Sequence, residues 1–159
     1  MLESLRELKT IAPRLNESSD SLNPILSQIN EQLNQMNLGL TVWLDAPPLI
    51  NKGIEPTYFQ KKHRIYSVEE REILGYTKLK SGWGLAVKSV VLENGYFEGD
   101  ENCPFTNPID GDVRPLLECS RDIRTNSIEL LPRLFDLLKD KAEKVINSLE
   151  SAKALSSQI

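Results

Sequence analysis

Histidine is almost missing from this chain: there is one, His63, among 159 residues. A serine–histidine or cysteine–histidine relay would have to use it. It stands in QKKHRIY, among positive charges and with no adjacent acid to orient it. Cysteine is scarce as well. Cys103 and Cys119 form no CxxC and match no zinc spacing, so no nitrogen- or sulfur-ligated metal and no cofactor are expected. Long apolar runs are absent, and nothing approaches the roughly 20 residues of a membrane-spanning helix. The opening stretch, MLESLRELKTIAPRL, carries acids early and lacks the apolar centre of a secretory signal. The expectation is a cytoplasmic protein with reduced thiols and no membrane partner. Excess positive charge is lacking too. A net charge of -4 with a pI near 5.1 argues against a dedicated nucleic-acid binder.

Two near-motifs fail on inspection. SGWGLAVKS, residues 81 to 89, resembles a phosphate loop that ends in Lys88-Ser89. A Walker A loop needs glycine where Val87 stands, and a helix must begin there. Valine resists the positive φ angles of such loops, and the VVL that follows is β-prone. The acidic runs EGDEN and DGD fail as calcium loops. Twelfth from Asp100 is Gly111, and twelfth from Asp110 is Arg121, where a glutamate is required.

What the chain does carry is heptad periodicity at both ends. Leu5, Leu8, Ala12, Leu15, Leu22, Leu26, Ile29, Leu33 and Met36 follow alternating steps of three and four, with Ser19 filling the one gap. Pro13 and Pro24 lie inside this stripe, so the segment is either one bent helix or two. Gly39 is placed to end it. A second seam holds Ile128, Leu131, Phe135, Leu138, Ala142, Val145, Leu149 and Ala152, and Pro132 is expected to bend that helix.

Between the seams lie β-prone stretches: LTVWLDAPP (40 to 48), HRIYSVEEREILGYTKL (63 to 79) and WGLAVKSVVL (83 to 92). A two-residue turn at Ser81-Gly82 pairs Lys80 with Trp83, Tyr76 with Val87 and Leu74 with Ser89. The bulkier face then carries Leu74, Tyr76, Trp83, Leu85, Val87 and Val91, and faces helices. Gly75, Gly84 and Ala86 leave the opposite face small.

The fold class is therefore α+β: long N- and C-terminal helices with heptad seams flank a three- to four-stranded antiparallel β-meander. A single domain is expected, with a helical segment over 1–37, a meander over 38–93, an acidic loop over 94–115 and a long helix over 116–159. The two helical segments most simply pair antiparallel. Their seams, Ile128, Leu131, Phe135, Leu138, Val145 and Leu149 in particular, are expected to form core or a coiled-coil bundle in a homodimer.

Charge is regional. Lys52 to Lys88 holds eight bases against four acids, and Glu93 to Glu118 holds seven acids against one arginine. The two regions can meet each other, or the basic and aromatic part can meet an anion. Function is accordingly read as a non-enzymatic interaction or structural module with a protein partner. The alternative is a module binding an anionic ligand or single-stranded nucleic acid near Tyr76, Lys78, Lys80 and Trp83.

Overall fold

The computed structural model describes residues 1–156. Helix α1 runs over Leu2–Gln35 without a break, and both Pro13 and Pro24 lie inside it. The open question of one helix or two resolves to one. It stops at Met36 because Asn37 turns into the left-handed region at φ 49°, with Gly39 following at φ 62°. Strands β1 (Val42–Leu44) and β2 (Ile50–Ile54), the short helix α2 (Tyr58–Lys62), strands β3 (Ile65–Leu79), β4 (Gly82–Phe97) and β5 (Asp100–Pro115), and helix α3 (Arg121–Ser156) complete the order. The end of the helical segment expected over 116–159 lies outside the described residues.

The sheet is antiparallel, in the order β1-β3-β4-β5, with β2 also pairing β3. It has five strands where three to four are expected: β2 forms just beyond the stretch 40 to 48, and most of the acidic stretch is not a loop. Residues 100 to 115 pair with β4 from Phe97↔Asp100 to Ala86↔Pro115. Pro104 and Pro108 are tolerated there because β5 is an edge strand, where a missing N–H donor costs little.

The hairpin between β3 and β4 turns one residue earlier than expected. Leu79 pairs with Gly82, Tyr76 with Leu85 and Leu74 with Val87. Gly82 takes φ 120°, which a side chain resists, and so becomes the first paired residue after the turn. The pairing slides by two residues, so each side chain keeps the face the alternation assigned to it.

Leu74, Tyr76, Leu85 and Val87 are buried on one face of the sheet. Against them pack Leu26 and Leu33 of α1 and Ile123, Leu130, Leu131, Leu134 and Leu138 of α3. Both helices thus lie on the same face, and they run in the same direction rather than antiparallel. Arg121 donates a hydrogen bond to Asn16 at 2.9 Å, and Arg124 donates to Asn23. Farther along, Leu33 and Met36 share a groove with Phe135, Leu138 and Ala142. The contacts ascend together along both helices. Hairpin logic failed here because the sheet between the helices returns the chain to the starting end.

Candidate interaction surface

On the sheet, Tyr76, Lys78, Lys80 and Trp83 are the candidates for an anion. Tyr76 is buried in the core: it is 1% exposed, its ring stacks on Trp83 at 5.8 Å, and its hydroxyl donates to Asn34 of α1 at 3.0 Å. Burial pushes its phenol above the ordinary value. Trp83 is half-buried and lines a cleft of about 220 Å³ with Leu26, Asn30 and Leu79. Lys78 pairs with Trp83 across the hairpin, Lys80 sits in the turn, and both are exposed. The structure therefore joins Tyr76 and Trp83 to each other and to α1, and leaves only the two lysines facing water.

The small opposite face is filled from within. The Trp43 ring lies over Gly75, where an added Cβ would come within 2.2 Å of it. Lys88 stands 5.0 Å from that ring's centroid and pairs with Asp110 of β5 at 3.0 Å. On the other, helix-facing side, Arg114 of β5 pairs with Glu72 of β3 at 3.0 Å, with the Ser89 hydroxyl between them at 3.3 Å from each. Basic and acidic regions thus meet within the chain. The Glu72 hydrogen bond raises the pKa of Arg114. Burial pushes the neighbouring Cys119 thiol up, and Arg114 offsets part of that.

At the far end of the sheet, α2 is fixed by a capping box, with Thr57 accepting from Gln60 N–H, and by Gln60 donating to Glu93 at 2.7 Å. Tyr58 and Phe59 on α2 are 78% and 72% exposed. Tyr66 packs on Tyr96 at 4.9 Å and Phe97 on Phe105 at 5.2 Å, with Tyr66 and Phe97 still more than half exposed. Single apolar residues on a surface mean little, but these aromatics cluster at one tip. Helix α2 is not legible in the sequence, because five helical residues are too few to show a period.

The helices carry the larger feature. Among the C-terminal seam residues, Leu131 and Leu138 are buried, and Ile128 and Phe135 sit at the margin at 37% and 36% exposure. Val145 and Leu149 extend past the sheet and are 38% and 57% exposed. The N-terminal seam behaves likewise in mirror order: Leu26 and Leu33 are buried, whereas Leu5, Leu8 and Leu15 are 50% exposed or more. Because α1 and α3 are staggered and run the same way, these bare stretches lie at opposite ends of the body. Among the described residues nothing covers either one. Where α1 ends, an apolar groove of about 430 Å³ opens beside α3, lined by Ile29, Leu33, Met36, Phe135, Leu138 and Ala142.

Among the described residues no group of His, Cys, Asp and Glu is placed to hold a metal ion, and no helix is long and apolar enough to cross a membrane. Comparison with known proteins adds no relative: no family model, no characterised protein and no solved structure matches the chain.

Proposed function

We propose that this chain is a non-enzymatic interaction module that associates with copies of itself through its two long helices, a homodimer being the smallest assembly. The observation that carries the reading is surplus surface. The chain exposes 11268 Å², whereas a compact monomer of 18.0 kDa exposes about 8,000 Å². Part of the exposed surface is apolar and sits on the continuing seams, at Leu5, Leu8, Leu15, Val145 and Leu149. Fully burying one such side chain stabilises by about 1.5–3 kcal/mol, so a few of them offset the entropy of association. The aromatic tip, with Tyr58, Phe59, Tyr66 and Phe97, is the surface left over for a different protein.

Sedimentation equilibrium of the full chain tests the reading. A mass that rises above 18.0 kDa with concentration is expected. A single 18.0 kDa species at every concentration contradicts it.

A further inference from the structure

Resting on that self-association, we infer that the bare N-terminal stretch of α1 in one copy packs against the bare C-terminal stretch of α3 in another, side by side and pointing the same way, so that copies join head to tail. The two stretches carry the same spacing. Leu5, Leu8, Ala12 and Leu15 step by three, four and three, and so do Ala142, Val145, Leu149 and Ala152. Laid in register they form four layers: Leu5 on Ala142, Leu8 on Val145, Ala12 on Leu149, and Leu15 on Ala152. Every layer sets a larger side chain against a smaller one, which is how facing helices fill space without voids. Ile11 and Ile146, 54% and 52% exposed, flank these layers and widen the apolar contact.

Direction follows from the stagger. Within the chain, α3 begins level with Asn16, through the Arg121 hydrogen bond, and lies against the same α1 seam that continues bare toward Leu5. A partner's C-terminal stretch laid antiparallel along residues 5 to 15 would carry the rest of its α3 into the space this chain's own α3 and sheet occupy. Laid in the same direction, its α3 runs away from the body. The contact then continues the parallel packing that α1 and α3 already make. The same register brings Met1 and Leu2 of one copy, 103% and 72% exposed, level with Leu138 and Lys139 of the other, next to the apolar groove beside the last turns of α1. One arrangement therefore covers both bare stretches. Pairing of like stretches would cover only one end of each chain. A contact between two different surfaces leaves one of each free, so assembly continues unless the copies close a ring.

Mixing distinguishes these arrangements. Leu8→Asp disables the N-terminal stretch and Leu149→Asp the C-terminal one. Both positions are exposed in the protomer, at 60% and 57%, so the body should fold, which unchanged melting of the core verifies. A gentler pair, Leu8→Ser and Leu149→Ser, serves if either aspartate variant misfolds. Each variant alone is expected to sediment as a monomer. The equimolar mixture is expected to form a one-to-one complex, because one partner keeps an intact C-terminal stretch and the other an intact N-terminal stretch. Self-association of either variant alone, or a mixture that stays monomeric while the unmodified chain assembles, overturns the head-to-tail contact and leaves the proposed self-association standing. An unmodified chain that is monomeric at every concentration removes both.

Discussion

At the scale of single residues, the molecule depends on a few close approaches that no periodicity reveals. Gly75 is one, since the Trp43 ring occupies the space of its missing side chain. Gly75→Ala should lower stability by about 1–3 kcal/mol, because the ring must leave its position on the sheet. A denaturant midpoint equal to that of the unmodified chain would show that Trp43 yields freely. Asn30 is another. Past the end of β5 the Leu85 N–H has no strand to pair with, and Asn30 Oδ1 of α1 accepts from it at 2.7 Å. Asn30→Ala orphans that donor at a cost of about 1–3 kcal/mol, whereas Asn30→Asp keeps an acceptor and should cost less. Equal loss in both variants would point to packing rather than to the hydrogen bond. Titration gives a third test. Burial raises Cys119 above its ordinary 9.0 and Tyr76 above its ordinary 10.0, so the folded state favours both neutral forms. That contribution is complete below the ordinary values and is lost as pH rises through the raised ones. Stability should therefore hold up to mildly alkaline pH and then fall, with Cys119→Ala removing the earlier part of the fall.

At the scale of elements, much of the fold was legible because burial writes itself as period. Both long helices, the β3–β4 hairpin and the assignment of its two faces follow from the spacing of Leu, Ile and Val. What was illegible lacks that cause. Strand β5 is exposed along most of both faces, so it has no alternation to read, and its prolines imitate a loop. The relative direction of the helices is not legible, because nothing local encodes the path of a sheet between two helices. The anion site near Tyr76 was suggested by composition alone, and register could not reveal that α1 lies over that ring. The heptad seam of α3 likewise showed no sign of where burial stops. It stops after Leu138, which is 3% exposed. Leu134, fully buried, should cost about 2–5 kcal/mol when cut to alanine. Val145→Ala, on the heptad seam but past the sheet, should leave the unfolding of an isolated protomer nearly unchanged. Comparable losses at both positions would mean that α3 is covered along its whole length.

At the scale of the whole molecule, the account turns on two bare helical stretches at opposite ends of one body, each continuing a seam that is buried in the middle. The most direct test is amide hydrogen exchange, followed residue by residue at increasing protein concentration. Helix that is frayed or exposed in a lone protomer exchanges fast, and helix covered by a second copy exchanges slowly. The account predicts that protection of residues 2 to 15 and 143 to 156 rises together with concentration, while that of β3 and β4 stays constant. Protection of both stretches that is independent of concentration would contradict it.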